Sequence, residues 1–211
     1  MKKFLALALA LVTAMALMTG CGGDTKTQGG SADGGTASPA GSLTFTTGGD
    51  QGTYYGFGSV LAGQVSGDTN TKVTAITSGG SQANIEAMES GDAQIGFVQS
   101  DVMSYAYEGT NLFEGAAVTD FSVVAALYGE QVQIVTCNPA IKTVADLKGK
   151  NVSIGAPGSG VYFNAMDVLK AYGLSENDIT PTYESFGDSA DSLKDGKIDA
   201  AFLVAGAPTT A

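Results

Sequence analysis

Six consecutive residues, Gly155, Ala156, Pro157, Gly158, Ser159 and Gly160, stand between the β-type run 151–154 and a helix-type run that begins near Val161. A strand, a glycine-rich turn and a helix start leave backbone N–H groups unpaired at the positive end of a helix dipole, with no bulky side chain in front. The chemistry such a corner offers is non-covalent capture of an anion. A second copy lies upstream. Gly52, Thr53, Tyr54 and Tyr55 follow a strand and a glycine-containing turn and lead to Val60 and Leu61, just as Gly160, Val161, Tyr162 and Phe163 lead to Val168 and Leu169. The step from position 52 to position 160 is 108 residues. The bland alternative for each corner is a tight turn that needs glycine dihedrals and nothing more.

Two further polar clusters end apolar strands, where an α/β protein presents side chains to a ligand: Gln99 with Ser100 and Asp101, and Ser78 with Gly79, Gly80 and Ser81. Ser81, Ser100 and Asp101 read equally well as helix N-caps. Among Tyr54, Tyr55, Tyr162 and Phe163, one of each pair is expected to pack inward and the other to face the ligand. The chain contains no histidine, and its ten basic residues are all lysines. It therefore lacks the bidentate carboxylate clamp, the usual metal ligand and the commonest general base. A carboxylate held here must be held by the amides of Gly158, Ser159 and Gly160 and by the hydroxyls of Thr53, Ser100 and Ser159. Residues 155–160 lack a Gly-Lys-Ser/Thr ending and the Gly-x-Gly-x-x-Gly spacing, so a nucleotide loop is a weak reading. With no nucleophile–base pair, no carboxylate pair and no metal cluster, the expectation is a binding protein without cofactor or metal rather than an enzyme; the alternative is an exported enzyme or a ligand-sensing protein that uses the same cleft.

These corners need strands and helices to position them, and the pattern supplies both. Strands are predicted at 43–47, 72–76, 94–99, 121–128, 131–136, 151–154, 180–185 and 199–205. Helices are predicted from Thr53 to Ser66, with Phe57, Val60, Leu61 and Val65 as the apolar face, and from Ser81, Ser100, Thr143, Val161 and Asp188. A second internal match, 88–98 with 193–203, has an offset of 105 from Gly91 to Gly196. Two matches at nearly one offset predict a duplicated two-lobed α/β protein with largely parallel sheets, a first lobe over 42–130 and a second over 131–211.

The chain opens with Lys2, Lys3 and an apolar run from Phe4 to Leu17, which reads as an export signal over 1–20. The ending Met18, Thr19, Gly20, Cys21 resembles a bacterial lipobox, with Met18 where that pattern prefers Leu, Val or Ile; Cys21 is the expected lipidation site and membrane anchor. Residues 21–41 read as the lipidated cysteine and a flexible tether poor in large apolar residues. All 21 acidic residues follow Cys21, a balance that excludes nucleic acid as a partner. Cys137 reads as a small buried residue in a strand rather than a reactive thiol.

From about Leu43 to Ala211 the chain resembles a TAXI-type solute-binding protein, the extracytoplasmic receptor of a tripartite TRAP transporter. The resemblance runs through Thr47-Gly48-Gly49, Gly52-Thr53-Tyr54-Tyr55, Ser78-Gly79-Gly80-Ser81, Val98-Gln99-Ser100-Asp101, Ala126-Leu127-Tyr128, Asp146-Leu147-Lys148-Gly149-Lys150, Gly155 to Gly160 with Asn164, and Asp199-Ala200-Ala201-Phe202 with Ala205-Gly206. It implies a type II periplasmic-binding fold whose two lobes close at a hinge on a small carboxylate or amino acid such as glutamate. It also implies membrane permease subunits as partners and cleft residues Thr53, Tyr54, Tyr55, Ser78, Gly79, Gln99, Ser100, Ala156, Pro157, Gly158, Ser159, Gly160 and Asn164. Members of that family continue past the point matching Ala211, so an incomplete first lobe is expected.

Overall fold

The computed structural model describes residues 41–211; the export signal, Cys21 and all but the last residue of the tether lie outside the described residues. Two sheets follow one another along the chain. The first contains β1 (Ser42–Thr46), β2 (Lys72–Ile76) and β3 (Ile95–Gly96), with helices α1 (Thr53–Asp68), α2 (Ser81–Glu89) and α3 (Ser100–Glu108). Its order is β2-β1-β3, and both pairings are parallel. The second contains β4 (Gln131–Val135), β5 (Asn151–Ser153), β6 (Thr180–Thr182) and β7 (Ala200–Ala205), with α4 (Gly160–Ala171) and α5 (Phe186–Lys194). Its order is β4-β7-β5-β6, with β5 parallel to both neighbours and β4 antiparallel to β7.

The wiring repeats. In the first half β1 leads through α1 to β2 on one side, and β2 leads through α2 to β3 on the other; β5, α4, β6, α5 and β7 do the same in the second. The register agrees to the residue. Thr46 lies opposite Ile76 and Gly96, and Ser153 lies opposite Thr182 and Ala201.

Each half carries a buried polar pair at that central position. Thr46 Oγ1 donates to Asn84 Oδ1 at 2.7 Å, and Ser153 Oγ and Ser189 Oγ lie 2.8 Å apart. Asn84 does more than its counterpart. It also accepts from Ser78 Oγ (2.6 Å) and donates to the carbonyls of Thr47 (2.6 Å) and Phe97 (2.7 Å), filling its hydrogen-bonding capacity at zero exposure.

Three expectations are corrected. Residues 121–128 form no strand: they pair with neither edge of the first sheet, and Val124 is 93% exposed. The inward face of α1 is not the large apolar stripe. Gly58 and Ala62 are its buried residues, because β1 and Phe97 approach so closely that a Cβ on Gly58 would lie 2.8 Å from Thr47 Cγ2. Val60 and Leu61 face outward. Cys137 is exposed, past the end of β4, since the strand stops at Val135.

The two halves meet along both rims. On one rim Ala83 N donates across to the carbonyl of Gly158 at 3.0 Å. There, Phe163 of α4 is buried in a cluster otherwise built from first-half residues, including Ile85, Val102 and Phe113. On the other rim the Gln51 side chain lies against Gly187, leaving no room for a Cβ there.

Candidate functional site

Between these rims lies a cavity bordered by four strand-to-helix corners: 48–54, 78–81, 156–161 and 184–187. They are the C-terminal ends of β1, β2, β5 and β6 and the starts of α1, α2, α4 and α5, the place where parallel strands present ligands. Gln99, Glu130, Val204 and Ala205 complete the wall. Its volume is about 90 Å³, room for on the order of six to nine water-sized positions.

Three of the four helix starts have no side-chain cap. Gly52, Gly80 and Ser159 precede α1, α2 and α4 without a capping bond, whereas Ser185 accepts from Asp188 N at the start of α5. Uncapped first-turn amides are available donors with a positive dipole behind them, apart from that of Ala83 in α2, which is spent on Gly158. Ser159 is the natural capping type, yet its hydroxyl is buried without a hydrogen-bond partner. Glu184 Oε2 is likewise closed off and unpartnered.

The crossover between the sheets brings in Glu130. Tyr54 Oη donates to Glu130 Oε2 at 3.0 Å. Burial pushes the Glu130 carboxyl up to about 7; the Tyr54 hydrogen bond works the other way, and the charge of Asp101 raises it further. Burial and then the Glu130 charge raise the Tyr54 and Tyr128 phenols well above their ordinary value.

Of the residues expected at the cleft, Thr53, Tyr54, Ser78, Gly79, Gln99, Ala156, Ser159 and Gly160 border the cavity. Tyr55, Ser100, Pro157, Gly158 and Asn164 do not. Tyr55 is one step, about 100°, around the helix from Tyr54. Ser100 is exposed at the start of α3. Pro157 turns its carbonyl onto Gly79, and Gly158 is spent on the contact with Ala83. Asn164 acts as a strut: it accepts from Gln99 Nε2 at 2.6 Å and donates to Asp101 Oδ2 at 2.6 Å, tying α4 to α3. Of the four aromatic residues only Tyr54 borders the cavity. Phe163 is in the first-half cluster, and Tyr162 donates to Glu176 at 3.1 Å.

Sequence reading missed Asp50, Gln51, Glu130, the corner 184–187, Val204 and Ala205. The corner was within reach. Carrying the 105-residue offset from Ser78, Gly79, Gly80 and Ser81 lands on Tyr183, Glu184, Ser185 and Phe186. Glu130 carries no local signal, since its place depends on the path of the crossover.

Among the described residues no group of three or more His, Cys, Asp or Glu side chains is placed to hold a metal ion, and no helix is long and apolar enough to cross a membrane. A model of the NMT1-like family matches residues 45–211. Among solved structures, the alkanesulfonate-binding protein SsuA from Xanthomonas axonopodis pv. citri, bound to MOPS, is 24% identical with a TM-score of 0.52, over 79% of this chain and 55% of its own. A protein from Bordetella bronchiseptica RB50 is 21% identical with a TM-score of 0.57, over 76% and 50%. An ancestral arginine-binding protein bound to glutamine is 21% identical with a TM-score of 0.51, over 77% and 69%. The chain spans about half the length of the first two. These likenesses identify the fold as periplasmic-binding-protein-like, mixed α/β with parallel sheets.

Proposed function

The chain belongs to the NMT1-like family, and from that premise we propose that it is an extracytoplasmic solute-binding receptor. It captures a small carboxylate or amino acid between its two halves and delivers it to the membrane subunits of a transporter. The observation that carries this reading is the convergence of three uncapped helix starts on one small cavity. Those groups are donors, and in a chain without arginine they are the means left for holding a carboxylate. That proteins of the same fold are bound to MOPS and to glutamine supports a small polar solute.

In this reading the transporter is of the tripartite TRAP type, in keeping with the motif order of the TAXI receptors, and residues 42–130 and 131–211 act as lobes hinged at Glu130. Cys21 carries the lipid that holds the receptor at the membrane, through the tether 21–41. Loss of labelled fatty acid from a Cys21→Ala variant checks the anchor. Calorimetric titration of the full chain with amino acids, dicarboxylates and sulfonates tests the receptor function, the expected result being saturable binding of at least one class. Indifference to all three classes would overturn it.

A further inference from the structure

The two rims that join the halves are unlike. On one, Phe163, Asn164 and Asp167 of α4 engage α3 and its neighbours. The Phe163 ring, 3% exposed, lies 5.6 Å from that of Tyr105 and 6.2 Å from that of Phe113. Asn164 donates to Asp101 at 2.6 Å, and about one turn further along both helices Asp167 accepts from Tyr105 at 2.9 Å. Both rungs end on a carboxylate, and a hydrogen bond to a charged acceptor is roughly twice as strong as a neutral one. Beside them the corners are in close contact: a Cβ on Gly79 would lie 2.1 Å from the Pro157 carbonyl oxygen.

The other rim is joined differently. Counting 108 residues back from Phe163, Asn164 and Asp167 gives Tyr55, Gly56 and Ser59 on α1. Tyr55 is half-buried, Gly56 and Ser59 are exposed, and a Cβ on Gly56 would meet nothing within 4 Å. That rim is closed by the Gln51 side chain lying on Gly187, by Phe186 against Gly52, and by a long hydrogen bond from Thr209 Oγ1 to the Gln51 carbonyl at 3.4 Å. Withdrawing a phenyl ring from its cluster and breaking two charge-assisted hydrogen bonds lowers a population by roughly three or more powers of ten. Sliding Gln51 off Gly187 breaks neither kind of contact. Resting on the reading of the halves as hinged lobes, we infer that α3 and α4 form a latch and that the halves part at the weaker rim, so that solute enters and leaves past Gln51 and Gly187.

The latch and the gate are tested separately, both in the full chain. The Ala83 amide donates across the latched rim to Gly158 at 3.0 Å. Phe163→Ala is expected to speed its deuterium exchange roughly ten- to hundredfold, the loss of one buried ring, while amides of β5 and β7 keep their rates. Should Phe163→Ala not fold, Asn164→Ala takes its place, with a rise of about tenfold. Unchanged Ala83 exchange in the folded variant overturns the latch. For the gate, Cys21→Ala and Cys137→Ala clear the background, and paired cysteines are joined by a short bis-maleimide. One pair is Tyr105→Cys with Asp167→Cys, the other Gln51→Cys with Gly187→Cys. Stopped-flow mixing with L-glutamine, succinate and ethanesulfonate should show association within about twofold of the unjoined chain for the first pair and slowed more than about tenfold for the second. Association lost in the first pair, or unslowed in the second, overturns the gate. Silence of all three probes in the unjoined chain removes the receptor reading, while the Ala83 exchange rate still decides the latch.

Discussion

Leu61 in α1 and Leu169 in α4 occupy matching places 108 positions apart, but Leu61 is 37% exposed and Leu169 is fully buried. The helices differ in what comes to meet them. α4 packs into a cluster that includes Ile141, Leu147, Ile179 and Val204, so its long side chains have partners. α1 brings Gly58 and Ala62 against Phe45 and Phe97, a contact so close that the large residues are turned outward. A repeated sequence pattern thus preserves the wiring while burial is decided by the neighbours. The buried polar pairs teach the same lesson. Asn84 is the hub of four hydrogen bonds spanning β1, α2 and the end of β3, whereas Ser189 shares one with Ser153.

The largest expected effect separates those polar centres. Asn84→Ala orphans two hydroxyls and two carbonyls and should destabilise the fold by about 3–5 kcal/mol, against about 1 kcal/mol for Ser189→Ala, both read by chemical denaturation. Equal losses would break the comparison. Next come the leucines. Leu169→Ala should lower stability by about 2–5 kcal/mol through transfer and cavity terms, and Leu61→Ala by less than about 1 kcal/mol; a large loss at Leu61 would mean that the outer face of α1 is covered in solution.

The smallest effect lies at the crossover between the halves. The folded-state pKa of Glu130, about 7, exceeds the ordinary carboxyl value. Between about pH 4.5 and 7 the folded chain therefore binds more protons than the unfolded chain, and stability falls as pH rises through that window. Discounted for the partial exposure of the carboxyl, the fall should be about 1–2 kcal/mol. Glu130→Gln should remove this part of the slope, as seen by unfolding at pH 5 and pH 8. An unchanged slope would place the titration elsewhere.

Much of this architecture was legible in the chain. The order of strands and helices, the doubled corner and the start of α4 follow from hydrophobic period and glycine placement, which are local properties. The strand expected over 121–128 was not a local matter: its apolar content satisfies β propensity, but a strand also needs pairing, and this segment runs past both edges of β2-β1-β3 without joining either. The face of α1 was misread because hydropathy credits Val60 and Leu61 and ignores that glycine buries by proximity. At the site, the corners announced themselves through glycine and serine, while Glu130 and Val204 reach the cavity by the course of the chain in space.

The hydrogen bond from Ala83 to Gly158 has a spectroscopic consequence. Ala83 lies in the first turn of α2, where an amide has no acceptor in its own helix, so its protection against exchange with solvent deuterium depends on the opposite half alone. The exchange rate of that single amide reads the fraction of molecules in which the two halves are apart, with or without a solute, and needs no attached label.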